Sequence, residues 1–118
     1  MKVRTVYFKI ADLERASAFW ATLLGVAPHK ESPAWVEFRV GGLNFGLLRM
    51  EGFACAPDAA NGVPVFQVAA AERDRLKEKA LALGARLVVD LPDHPDGQSC
   101  VLADPAGNEF ELTSFAGA

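Results

Sequence analysis

The chain repeats itself at half its own length. Gly25 and Gly84, each closing a helical pattern, stand 59 positions apart (84 − 25) in a chain of 118 residues. Phe8 and Phe66 are offset by 58 (66 − 8), as are Ile10 and Val68. A repeat of this period is one supersecondary unit used twice. Neither copy is large enough to bury a helix-covered sheet alone, so the two are expected to pack side by side around a shared concavity.

Each copy has the pattern strand, helix, strand, strand, with room for one more short strand. Residues 3–10 alternate, with Val6, Phe8 and Ile10 on one face and Thr5, Tyr7 and Lys9 on the other. Asp12 is a good N-cap and Glu14 lies where the helix dipole favours negative charge. Leu13, Ala16, Trp20, Leu23 and Leu24 then recur at helical spacing, and Gly25 with Pro28 ends the run. Residues 34–40 alternate, and Gly41-Gly42 is a hairpin signal that joins them to a second strand at 43–50. Gly46 raises the prospect of a bulge that would let Phe45 face either way.

In the second copy, residues 63–68 predict a strand, with Pro64 at its start or on an edge. Residues 70–83 predict a helix with Leu76, Ala80 and Leu83 inward, and 85–90, 98–103 and 109–114 predict strands. The expectation is one α+β domain over 1–118, built of modules at about 1–52 and 63–118. A connector covers about 53–62, where periodicity gives way to Gly, Pro and Asn and a short edge strand is conceivable.

Composition narrows the function classes. With 51% hydrophobic and 23% charged residues the chain can build a core. Its net charge of −3, with no basic run, argues against a nucleic-acid partner. No apolar stretch approaches the roughly 20 residues of a membrane span, and the first residues lack a signal peptide's apolar core. Cys55 and Cys100 have no paired spacing and read as free thiols in a reducing compartment, so a cytoplasmic location is expected. Cys100 reads as a small core residue and Trp20 as core.

The stretch Asp104-Pro105-Ala106-Gly107-Asn108 is strong turn chemistry, and alternation starts directly after it. Phe110 and Leu112 take one face of the following strand; Glu109, Glu111 and Thr113 take the other. A carboxylate aimed off the apolar face is either a solvated group or part of a site.

Taken with the repeat, Ala11-Asp12-Leu13-Glu14-Arg15, Phe19-Trp20, Leu24-Gly25, the Asp104–Asn108 turn and Glu111-Leu112 make the chain resemble the vicinal oxygen chelate superfamily. That superfamily includes glyoxalase I, bleomycin-resistance proteins and extradiol dioxygenases. The resemblance covers nearly the whole chain. It implies two βαβββ modules forming a cup-shaped, largely antiparallel mixed sheet with helices on the outer face, and commonly a dimer. It also implies a divalent metal held by histidines from the first strand of each module and a glutamate from the last strand. Matched residue by residue, those positions are Thr5, Val63 and Glu111. Only Glu111 is a good donor, whereas a catalytic site needs about three. His29 and His94 lie in loops beside prolines and read as surface histidines. No metal, other cofactor or catalytic residue is therefore expected.

Alternation still defines the concave face. It carries Thr5, Tyr7 and Lys9, then Trp35, Glu37 and Arg39, then Val63, Val65 and Gln67, and finally Glu109, Glu111 and Thr113. Bare solvent would waste Trp35, Tyr7 and the valines, and a dry core would strand the charges. A pocket, mostly apolar with a few polar groups, suits both sets. The first expectation is thus a metal-free protein that sequesters a small, partly aromatic and cationic molecule. Thr5, Tyr7, Trp35, Glu37, Arg39, Val63, Gln67 and Glu111 are its candidate binding residues. The second is a metal-dependent lyase, isomerase or dioxygenase of the glyoxalase kind, or a metal-free variant with Glu111 as base. The third is an interaction module whose concavity is closed by side chains.

Overall fold

In a computed structural model that describes residues 4–53, 63–93 and 97–115, the chain divides into two compact units, Met1–Cys55 and Ala56–Ala118. The first contains strand β1 (Thr5–Ile10), helix α1 (Leu13–Leu24), β2 (Lys30–Glu31), β3 (Trp35–Val40) and β4 (Leu43–Arg49). The second contains β5 (Val65–Gln67), α2 (Ala70–Ala82), β6 (Arg86–Leu91), β7 (Gly97–Ala103) and β8 (Glu109–Phe115). Each is a βαβββ unit with one four-stranded sheet, ordered β1-β4-β3-β2 and β5-β8-β7-β6. β1 runs parallel to β4 and β5 parallel to β8, while the remaining pairs are antiparallel. The class is α+β, with mixed, largely antiparallel sheets.

In the first unit α1 starts where Asp12 Oδ1 accepts the Arg15 backbone N–H at 3.1 Å. It stops at Gly25, whose φ of 69° is the left-handed conformation that a residue with a side chain resists. The face toward the sheet presents Ala16, Phe19, Trp20 and Leu23, all buried. Trp20 packs edge-on against Phe45 at 4.7 Å and Phe45 against Phe8 at 5.4 Å. Phe38, Ile10 and Leu47 complete this core. Fully burying a side chain of this size contributes about 1.5–3 kcal/mol, so the aromatic cluster dominates the unit's stability. β4 pairs without a break from Leu43 to Arg49, which settles Phe45 on the α1 face and leaves no bulge at Gly46.

The extra strand of the first unit is β2, two residues before the Ser32-Pro33-Ala34 turn. It precedes the β3–β4 hairpin, where the sequence pattern has no alternation to reveal it. Two residues cannot display a period of two.

The second unit differs from expectation at its edge. β5 starts at Val65, so Val63 lies outside the strand and is 41% exposed. Pro64 has no N–H for the ladder and contributes only its carbonyl, to Glu111 N. α2 lacks a side-chain cap, as its sequence suggests, and its buried residues are Ala80 and, unexpectedly, Arg73. The Arg73 guanidinium bonds Asp74, Asp90 on β6 and the Ser99 carbonyl on β7. Cys100, Leu102, Phe110 and Leu112 form the apolar core beside it. His94, Cys55 and residues 54–62 of the connector lie outside the described residues.

Candidate functional site

On the first unit, the sheet face opposite α1 is built by register. Tyr7 stands opposite Gly46 and Gly46 opposite Glu37, so the three form one row across β1, β4 and β3. Thr5, Asn44 and Arg39 form the adjacent row, and Lys9, Leu48 and Trp35 the row on the other side. Five of the predicted binding residues, Thr5, Tyr7, Trp35, Glu37 and Arg39, therefore share this face.

The indole of Trp35 lies down across Gly46. A Cβ on Gly46 would collide with the six-membered ring, so glycine is what permits the side chain to rest flat on β4. Tyr7 meets Trp35 edge-on at 5.7 Å and keeps 48% of its surface exposed. Trp35 Nε1 donates to Glu37 Oε1 at 3.3 Å. The result is an aromatic corner, half open to solvent, with a carboxylate at its inner edge.

Glu37 is only 6% exposed, far more enclosed than alternation alone suggests. Its second oxygen, Oε2, lies 2.6 Å from Nε2 of His29, an ion-pair contact when the imidazole is protonated. The reason is β2. Its pairing of Lys30 with Glu37, and the His29 backbone N–H on the Glu37 carbonyl at 2.9 Å, bring His29 beside Glu37. His29 is an exposed loop residue, as its sequence suggests, and its imidazole is the group that reaches Glu37. Asn44 was also missed; it is 6% exposed and its Oδ1 has no hydrogen-bond partner.

The remaining predicted residues belong to the second unit. Val65 pairs with Glu111 and Gln67 with Thr113 across β5 and β8, placing Gln67 and Glu111 on the face away from α2. Val63 precedes that strand. Glu111 is not freely solvated: Thr113 Oγ1 donates to its Oε2 at 2.7 Å, and Ser99 Oγ lies 3.1 Å from Thr113 Oγ1. Thr113, on the same face, is buried. Burial pushes the Cys100 thiol above its ordinary value despite the opposing charge of Arg73, so a reactive thiolate is disfavoured.

The Asp104–Asn108 motif is held as a turn by Asp104. Asp104 Oδ1 accepts the N–H groups of Ala106 at 3.0 Å and Asn108 at 2.8 Å, and Gly107 takes a φ of 93°. An open groove of about 950 Å³ also runs along α1, lined by Asp12, Glu14, Pro33, Val36 and Arg49 among others. It is on the helix side of the sheet, away from Trp35.

The donors do not fit a metal. Val63 offers no ligand atom, Thr5 a neutral hydroxyl, and Glu111 has one oxygen engaged by Thr113. Among the described residues no three His, Cys, Asp or Glu side chains converge on a point.

Solved structures share this fold. A glyoxalase/bleomycin resistance protein/dioxygenase family enzyme from Burkholderia phytofirmans PsJN superposes with a TM-score of 0.84 at 20% identity, covering 98% of this chain and 99% of that one. A glyoxalase-related enzyme from Fulvimarina pelagi gives 0.80 at 24% identity, over 97% and 88%. The fosfomycin resistance protein FosX from Listeria monocytogenes, solved with Mn(II) and 1S,2S-dihydroxypropylphosphonic acid, gives 0.80 at 19% identity, over 98% and 90%. The architecture is thus that of the vicinal oxygen chelate proteins. Residues 5–113 match the model of the glyoxalase-like domain, and the chain belongs to that family. No curated protein sequence matches it. Among the described residues no helix is long and apolar enough to cross a membrane.

Proposed function

We propose that this glyoxalase-like protein binds a small, partly aromatic molecule without a metal and sequesters it rather than transforming it. The observation that carries this reading is the Trp35 indole seated on Gly46, edged by Tyr7 and tied to Glu37. A flat, half-exposed aromatic surface with a carboxylate at its rim suits stacking and cation–π contact with a planar ligand. Thr5 and Arg39 flank it. On the second unit, Val63, Gln67 and Glu111 are proposed as further contacts, Glu111 with one oxygen held by Thr113. The reading includes a cytoplasmic homodimer with no nucleic-acid or membrane partner.

The test is a thermal-shift screen of small aromatic compounds, followed by titration of each hit against Trp35→Ala and Glu111→Ala. We expect Trp35→Ala to weaken binding by about tenfold or more, the loss of a stacking contact of about 1–2 kcal/mol. Hits whose affinity survives Trp35→Ala would sink the reading. Unchanged affinity in Glu111→Ala would remove Glu111 from the site.

A further inference from the structure

The Trp35 indole, the Glu37 carboxylate and the His29 imidazole form a chain that runs from the aromatic corner to the edge of the first unit. Trp35 Nε1 donates to Glu37 Oε1 at 3.3 Å, and Glu37 Oε2 lies 2.6 Å from His29 Nε2. Two lone pairs repel at that distance, so the imidazole nitrogen carries a proton at this contact. The two partners differ in their access to water: the Glu37 side chain is 7% exposed and that of His29 32%. An enclosed carboxylate is costly without a counter-charge. The group placed to supply one is of the side-chain type that changes charge near neutral pH.

Other charged and titratable groups face Glu37. Lys30 stands opposite it on β2, Arg39 lies two residues along β3, Tyr7 shares its row on β1 and Lys9 sits in the row beside. Lysine, arginine and tyrosine side chains do not ordinarily change charge between about pH 5 and 8, so they offset a fixed part of the carboxylate's charge and His29 supplies the variable part. The element behind His29 is also lightly built. β2 is two residues long and lies at the edge of its sheet, so its departure leaves the β1-β4-β3 ladders intact.

We infer that His29 is a pH-sensitive latch on the aromatic corner. When protonated it pairs with Glu37, and the neutralised carboxylate stays inside and holds the indole on Gly46. As pH rises and the imidazole loses its charge, the carboxylate turns toward water, gives up Trp35 Nε1 and frees the indole. The latch itself goes beyond the proposed binding function. Only its consequence, tighter capture of a stacking ligand on the acid side of neutrality because the indole is already in place, rests on that reading.

The test needs no ligand. Acrylamide quenching of Trp emission is followed from about pH 5 to 8 at constant ionic strength, with Trp35→Phe, in which only the buried Trp20 remains, as the blank. We expect quenching of Trp35 to rise with pH in a single step. The ratio of held to freed indole should fall about fivefold across it, the difference between a charge-assisted and a neutral hydrogen bond. His29→Gln keeps an N–H donor without a titrating charge, and Glu37→Gln removes the carboxylate; both profiles should be flat. The chain has two histidines, and His94→Gln should keep the step. A flat profile in the parent, a step that runs the other way, or one that survives His29→Gln or disappears in His94→Gln overturns the latch. Each of these leaves the binding reading standing, since that reading is judged by ligand titration of Trp35→Ala.

Discussion

Gly46 is the residue on which the candidate site turns. Its missing side chain admits the indole of Trp35, and no other residue type leaves that space. Gly46→Ala is expected to cost about 1–3 kcal/mol of stability through overpacking. It should also displace Trp35 toward solvent, seen as a red-shifted emission and greater quenching by acrylamide. An unchanged spectrum would mean that Trp35 does not rest on β4. Asp104 makes the contrasting case. Its position near Glu111 suggests a functional motif, yet Oδ1 holds two backbone N–H groups of a turn. Asp104→Asn, which keeps an acceptor oxygen, should be nearly neutral, whereas Asp104→Ala should lower stability by about 1–3 kcal/mol in urea unfolding. Ligand affinity should change in neither.

At the scale of elements, α2 and β6 are joined by charge rather than by apolar packing. Arg73 is buried, and Asp90 receives both its guanidinium and the Lys77 ammonium, the latter at 3.1 Å. Burial alone would raise the Asp90 carboxyl, but the hydrogen bonds and charges of Arg73 and Lys77 outweigh it and hold the group below its ordinary value. A carboxyl lower in the folded than in the unfolded chain adds stability above the unfolded pKa, about 3.9. That contribution disappears as pH falls through the folded value. Asp90→Asn should therefore cost on the order of 2 kcal/mol near neutral pH, less than a fully enclosed pair because the Asp90 side chain is 27% exposed. The gap between parent and variant should close below about pH 4. A gap that persists at pH 2 would show that the loss comes from packing, not charge.

For the whole molecule, the proposed metal-free reading sets the prediction. The fold and the match over residues 5–113 place the chain among glyoxalase-like proteins, but position 63 is Val and position 5 is Thr. Protein purified without chelator or affinity tag is expected to carry no stoichiometric zinc, nickel, iron or manganese. Adding these ions should leave Tm unchanged, whereas a true site occupied at a hundredfold over its Kd would add about 2.7 kcal/mol. Near-stoichiometric metal would restore the enzymatic reading and bring His29 and His94 forward as ligands.

Much of this protein is legible in the residues alone because short-range physics governs it. Strand alternation, the Asp12 cap, the two helix-ending glycines and the 58–59-residue offset report local backbone preference and apolar periodicity, and the two βαβββ units follow. Alternation also placed Thr5, Tyr7, Trp35, Glu37 and Arg39 on one face, since side chains on a strand have no choice but to alternate. It could not show which neighbours meet across strands, because register depends on pairing partners remote in sequence. The two-residue β2 that carries His29 to Glu37, the seat of Trp35 on Gly46 and the burial of Asn44 and Thr113 all arise from such pairing. Local pattern thus decided the elements and their faces, and long-range pairing decided which polar groups are enclosed, held or left waiting for a partner.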